Sequence, residues 1–276
     1  MDSNETITPT DPIQETEGGN GELSHSDKMI GVLTEPSETF SITSKFPPRT
    51  KDWLLPIFFL LLVTAIVQLI LSNNEEIAFQ TKMKQMEKIE AQFDEAVSSG
   101  AMTREQADEQ LDRIADQMDQ GRGAVGMVIQ TVSIFVVGFI IFFLFTAIYF
   151  LFSKTVFKGE GLYSSALVAN GLVSYIAIIH VVLAAVLSIL FGRLIPYIDL
   201  TAILGMERAT IQGFLFGKLD VFAIWMNVVL GIGLAKMFRA SSTTKYIVMV
   251  FCVWIAISLI FYLLAQAIPF LQFFMQ

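Results

Sequence analysis

Five stretches of this chain are apolar and free of charge over lengths that a water-exposed helix does not tolerate, and everything else must be arranged around them. A helix crossing bilayer hydrocarbon needs about 20 apolar residues, because it rises about 1.5 Å per residue through about 30 Å. Residues 53–72, 124–153, 162–192 and 246–269 hold runs of that length, with Pro56 tolerated near the start of the first. The remaining stretch, 219–238, is uncharged only from Val221 to Ala235. It crosses if Lys236 snorkels to the headgroups and Asp220 sits at the opposite interface, and a re-entrant segment is the alternative. With 54% hydrophobic residues and 24 Phe among 276, lipid is the expected solvent. The predicted fold class is therefore all-α: a polytopic membrane helix bundle of about five transmembrane helices with an extramembrane helical hairpin.

Charge is confined to what lies between those runs. The first thirty residues carry seven acids against Lys28 alone, and residues 72–124 carry twelve acids against six bases. These two blocks account for the net charge of -8, so the acidity describes the segments outside lipid, and no basic patch points to nucleic acid. Lys45, Arg49 and Lys51, then Lys154 and Lys158, then Lys236, Arg239 and Lys245 all fall on one side of a five-span arrangement. Positive residues in short loops hold those loops inside, which predicts a multi-pass protein of the cell membrane with a cytoplasmic N-terminus and the C-terminus outside. Residues 1–50 have no apolar signal-peptide core, so the first run is expected to act as an uncleaved anchor. The single cysteine, Cys252, lies within an apolar run and reads as packing, with no partner for a disulfide.

The polar segments have patterns of their own. Residues 1–28 are acidic, Gly-, Ser- and Thr-rich and nearly devoid of apolar side chains, and are predicted to be a disordered tail. Residues 29–52 form a cytoplasmic segment in which a short helix starting near Pro36 is expected to lie at the inner interface. Residues 73–123 read as a charged helical hairpin outside the membrane, and 193–218 as an outer loop. In the hairpin, Phe79, Met83, Met86, Phe93 and Val97 share one helical face, and Ala107, Leu111, Ile114 and Met118 another. Ser98-Ser99-Gly100 separates the two, and Thr103 with Gln106 fits a capping box. Such a pair either packs only on itself or serves as a stalk for a partner or for self-association.

Several short motifs have a family resemblance. Ile30-Gly31-Val32-Leu33 with Pro36 and Phe40, Leu219-Asp220-Val221-Phe222 with Trp225, Gly231-Ile232-Gly233-Leu234-Ala235, and Val253-Trp254 together resemble the Yip1 family over residues 29–268. The inserted charged hairpin is similar to that of prokaryotic members. The resemblance implies five spans, a cytoplasmic N-terminus and a C-terminus on the far side. It implies a role in membrane organisation or trafficking, in Golgi or endoplasmic-reticulum membranes if the cell is eukaryotic. The short acidic Tyr-Gly-Pro motif of the eukaryotic cytosolic segment has no close copy here, which separates this chain from the prenylated-Rab partners of that branch.

Polar residues inside a span are costly, and they supply the candidate sites. Asn170, His180, Asp220, Trp225, Asn227, Gly231 and Gly233 are the intramembrane candidates for function or packing. His180 suits a proton relay or, more simply, a hydrogen bond between helices, since His25 is the other histidine and falls in the acidic tail. Asp220 suits a substrate or proton site or, more simply, a helix N-cap. Asn170 shares a face with Ser174, and Asn227 with Gly231; Gly231 and Ala235, like Ala184, Ser188 and Gly192, have the spacing of close helix packing. No HExxH, Gly-x-Ser-x-Gly, P-loop or dinucleotide fingerprint occurs, so no catalytic residue, metal or cofactor is assigned and no enzyme is expected. The expected function is a non-catalytic organiser of protein partners in the bilayer. A small transporter or channel component using the polar faces of the third and fourth spans is the alternative, weakened by an odd span number without an inverted repeat.

Overall fold

The computed structural model describes residues 21–121 and 123–267, and over these the chain is helical from end to end. The helices are α1 (His25–Thr34), α2 (Pro36–Thr43), α3 (Lys51–Ser72), α4 (Glu75–Ser98), α5 (Arg104–Gln120), α6 (Ala124–Thr155), α7 (Tyr163–Leu190), α8 (Leu200–Leu204), α9 (Ile211–Phe216), α10 (Val221–Met237) and α11 (Thr243–Ala267). Four of them, α3, α6, α7 and α11, are long and apolar enough to cross a membrane, and α10, at 17 residues, is a shorter apolar helix. Along α6, Val125, Val128, Val132, Val136, Ile140 and Leu144 are exposed in a continuous stripe, an apolar face of the kind that water rejects and lipid covers.

α7 is the centre of the bundle. Its first half is buried on nearly all sides, from Ala166 to Ile176, against α3, α10, α6 and α1. Leu172 and Ile176 of α7, Val229 and Leu234 of α10, Val250 of α11, and Val32 and Phe40 of α1 and α2 belong to one contiguous core. Small residues set how closely these helices approach. A Cβ added at Gly171 of α7 would lie 2.4 Å from the Trp53 Cα of α3, and one at Gly231 of α10 would lie 2.6 Å from the Ile247 Cα of α11. Gly233 meets the Phe40 ring in the same way, with 2.9 Å to its Cζ. Lipid tails are as apolar as leucine, so dispersion at such close contacts has to replace the hydrophobic effect between helices.

One expectation for the N-terminal region is corrected. Order begins inside the segment expected to be a disordered tail: α1 starts at His25, capped by Ser24, whose hydroxyl accepts from the Asp27 N–H while the Asp27 carboxylate accepts from the Ser24 N–H. Residues 1–20, the rest of that tail, lie outside the described residues, as do 268–276 at the other end. The helix that starts at Pro36 also packs on the bundle. α2 packs against α10 with Phe40 fully buried, because Gly233 leaves room for its ring.

The charged segment is an antiparallel pair, α4 and α5, turning at Gly100 with φ of +75° and restarting at the Thr103–Gln106 capping box. Lys82 of α4 reaches Asp119 of α5 at 2.5 Å, and Arg104 pairs with Asp94. The outer loop, 193–218, is not a simple surface connection. It carries α8 and α9, and it folds back so that the Ile195 N–H donates to the Ser188 hydroxyl of α7 and Asp199 forms a β-bridge with Asp220.

Gly231→Ala is expected to force α10 and α11 apart, since its methyl group meets backbone of α11, at a cost of about 1–3 kcal/mol. Thermal unfolding in detergent should show the loss for Gly231→Ala, whereas Ser241→Ala, at an exposed loop position, should change stability by no more than about 0.5 kcal/mol.

Candidate functional site

Two clusters of polar side chains are built into the bundle, meeting α7 at Tyr175 and at His180 on either side of its midpoint. The first joins the N-terminal helix to the start of α3. Lys28 is 1% exposed, and its Nζ donates to Asp52 Oδ2 at 2.6 Å. His25 places Nδ1 3.2 Å from Asp52 Oδ1 and Nε2 2.6 Å from the Tyr175 hydroxyl of α7. With the proton on Nδ1, the imidazole donates to the carboxylate and accepts from the phenol. Glu22 closes the network, lying 3.4 Å from Lys28 Nζ and pairing with Arg49. Lys28 and Asp52 thus balance in a site closed to water, with Glu22 and the half-exposed Arg49 at its edge, which is the condition under which buried charge is tolerated. Sequence reading missed this cluster because it joins the N-terminal segment to Asp52, 24 residues on from Lys28, and to Tyr175, 150 residues on from His25. The signals that were present are local: Ser24 and Asp27 at capping-box spacing, followed by Met29, Ile30, Val32 and Leu33.

The second cluster gathers at the other half of α7. His180 lies ten residues before Leu190, about 15 Å short of the end of the helix at 1.5 Å per residue. Its ring stacks on Phe222 with centroids 5.2 Å apart, and Asp220 Oδ2 stands 3.7 Å from Nε2. That separation is too long for a hydrogen bond, and among the described residues the buried Nε2 has no partner. The hydrogen bond between helices expected of His180 is therefore not made. Asp220 instead caps α10, accepting from the Ala223 N–H at 2.9 Å, and this fixes where the short helix begins. Because Asp220 sits beside His180, α10 starts well below the end of α7, and the remaining depth is filled by α8, α9 and their connections. Non-helical backbone at that depth is tolerated where protein or a polar cavity surrounds it.

In the α8–α9 segment, Asp199 is 1% exposed and caps α8 through the Ala202 N–H. It also accepts from the Thr201 hydroxyl at 2.5 Å and pairs with Arg208. The Arg208 guanidinium lies over the Tyr197 ring, 4.0 Å from its centroid. Lys218 faces the rings of Phe214 and Trp254 at 4.9 and 5.0 Å. None of Asp199, Arg208 or Lys218 was singled out by sequence, where the segment reads as an outer loop of mixed charge.

The remaining sequence candidates are dispersed. Asn170 donates from Nδ2 to the Thr146 hydroxyl of α6 at 2.8 Å, a bond between helices. Ser174, on the same face, is buried. Asn227 donates to the Ala223 carbonyl of its own helix at 2.9 Å, and Trp225 packs at the margin of the main core beside Phe222. Gly231 and Gly233 provide clearance for α11 and α2. Of the seven candidates, the structure brings only His180 and Asp220 together. No group of three or more His, Cys, Asp or Glu with metal-binding geometry occurs among the described residues.

Breaking the N-terminal cluster one partner at a time should be more damaging than removing the pair. Lys28→Met leaves Asp52 short of its main counter-charge in a buried site and is expected to cost about 3–5 kcal/mol, while Lys28→Met combined with Asp52→Leu should recover most of it. Thermal unfolding of both variants in detergent, with proteolytic release of α1 as a second readout, checks the order.

Comparison with known proteins agrees with the arrangement of helices and short motifs. The family model described as the Yip1 domain matches residues 30–264, which takes in α2 to α10 entire together with the second half of α1 and most of α11. No curated protein and no solved structure matches the chain. A helical bundle with four membrane-crossing helices, a shorter fifth, and a Yip1 domain over most of its length makes this chain an integral membrane protein of the Yip1 family.

Proposed function

We propose that this protein acts without catalysis, as an organiser of protein partners at the membrane, and that the α4–α5 hairpin is the arm that engages them. The observation that carries this reading is the incomplete burial of the hairpin. Among the described residues, Ala107 is the one buried position on α5, and the buried positions of α4, Ile77 and Ala78, are at its base. Phe79 and Met83 are 63% and 54% exposed, and Met86, Phe93, Leu111, Ile114 and Met118 are covered in large part but none is fully buried. A two-helix arm with an uncovered apolar stripe, salt bridges along its edges and no core of its own gains stability when a second surface covers the stripe. Asn170, Asp220 and Asn227 are committed to hydrogen bonds within the bundle, which supports transport through those polar faces less well.

We also propose a cell-membrane location with α1 and α2 in the cytoplasm and the hairpin outside. The support is the Lys and Arg content of the short connections on the α1 side, including Lys154, Lys158, Lys236, Arg239 and Lys245. Homo-oligomerisation through the hairpin is one form the partnership takes if the partner is a second copy of this chain.

Two measurements test these proposals. A photo-crosslinking residue at Phe79 or Met83 in the membrane-embedded chain should yield one reproducible adduct, heteromeric or homodimeric, absent when the crosslinker is moved to the exposed edge at Glu109. Uniform, non-specific labelling at all three positions would defeat the partner reading. With Cys252→Ser as background, a membrane-impermeant maleimide added to intact cells should label Gln110→Cys and spare Ser44→Cys; the reverse pattern would overturn the orientation and leave the bundle unchanged.

A further inference from the structure

The α8–α9 segment does more than fill the depth left by the short α10. Between α9 and the far half of α11 it forms an open cleft of about 250 Å³, lined among others by Tyr197, Arg208, Phe214, Lys218, Ser258 and Tyr262. Three features of its wall point the same way. The Lys218 ammonium is held against the Phe214 and Trp254 rings, yet it makes no ion pair and donates no hydrogen bond among the described residues. Arg208 is locked in place by Tyr197 on its face and Asp199 at one edge. A single Nη2 bond to Asp199 leaves the rest of its fan of five N–H groups without a protein partner among the described residues. The hydroxyls of Tyr197 and Tyr262 likewise have no hydrogen-bond partner there. The Ser258 hydroxyl is already committed, donating to the Trp254 carbonyl at 2.7 Å.

The charge balance is one-sided. Two cations line the wall and one buried carboxylate, Asp199, answers them, while Asp220 is turned to the Ala223 N–H and His180. An excess positive charge beside aromatic rings at membrane depth is costly until an anion joins it. The lining holds a planar guanidinium, an ammonium and two phenols. Such a donor set suits an oxyanion with several oxygens around one centre, and the guanidinium and ammonium are the usual pair for phosphate. The rings of Phe214 and Phe261 in the same lining accept apolar substituents next to such a group.

We propose that this cleft binds a phosphate group, with Lys218 and Arg208 as its cationic ligands. The shared chemistry is a phosphate oxyanion, and its source is either a lipid headgroup entering between α9 and α11 or free phosphate entering from the hairpin side. The proposal does not depend on the partner-organising role of the hairpin.

The test uses the full chain, purified in neutral detergent and stripped of lipid. Three probes are titrated: dihexanoyl-phosphatidylglycerol, inorganic phosphate, and dihexanoylglycerol as the phosphate-free control. Native mass spectrometry and calorimetry should show saturable binding of one phosphate-bearing probe per chain and none of the control. Lys218→Gln should weaken that binding at least tenfold, and Lys218→Arg should hold it within threefold. Binding of the lipid alone assigns a headgroup site, and binding of inorganic phosphate assigns a solute site. Should Lys218→Gln not remain monodisperse, amine acylation of the wild-type chain decides: the bound probe should slow modification of Lys218 at least fivefold while leaving exposed Lys84 unchanged. No saturable binding of either phosphate probe to the wild-type chain, unchanged binding by Lys218→Gln, or unprotected Lys218 would each overturn the assignment.

Discussion

Hydrocarbon offers no partner to a backbone N–H or C=O, and that constraint governs every other feature of this bundle. It forces helices wherever the chain crosses, and it leaves helix ends and interruptions as the places where polar groups must be provided from within the protein. Asp220 at the start of α10 and Asp199 at the start of α8 are such provisions, each accepting from a free N–H of the turn it begins. Ser188 does the same for Ile195 where the chain turns back after α7. With backbone needs met in this way, an apolar helix of only 17 residues, α10, packs in the bundle with the α8–α9 segment before it.

The same solvent removes the hydrophobic effect as a force between helices, and the structure answers with close contact and with charge. Gly171, Gly231 and Gly233 bring α3, α11 and α2 against the α7–α10 core at distances that leave no room for a methyl group. At the N-terminal end, His25, Lys28, Asp52 and Tyr175 tie α1 to α3 and α7 through a neutral, buried network. Such networks are seldom the cheapest way to stabilise a protein, but they fix register, since a half-made network leaves charge unpaired. Here the consequence is that α1 and α2 belong to the bundle. The segment before the first crossing is a structural part of the domain.

The two ends of the molecule therefore differ in character. On the α1 side, polar side chains are matched and buried. On the hairpin side, the α4–α5 arm leaves apolar residues uncovered, and Lys218, beside α9, has no ion pair among the described residues. Unsatisfied surfaces concentrate where a partner or ligand is able to reach them, and both functional proposals come from that asymmetry.

The lipid-crossing helices, the hairpin with its turn at Gly100, the Thr103 capping box and the cap at Asp220 were all legible in the sequence, because each depends on residues within one or two turns of one another. Length and apolarity determined the class of fold, and the short motifs around Asp220, Gly231 and Trp254 carried the family resemblance. What only the tertiary structure decided is which distant side chains meet: His25 with Asp52 and Tyr175, Phe40 with Gly233, Asp199 with Arg208, and Lys218 with Trp254. Local sequence records the period of a helix and the chemistry of its ends. It does not record the rotation and depth at which two helices pack, and those two quantities place a histidine from an apparently disordered tail against an aspartate at a membrane boundary.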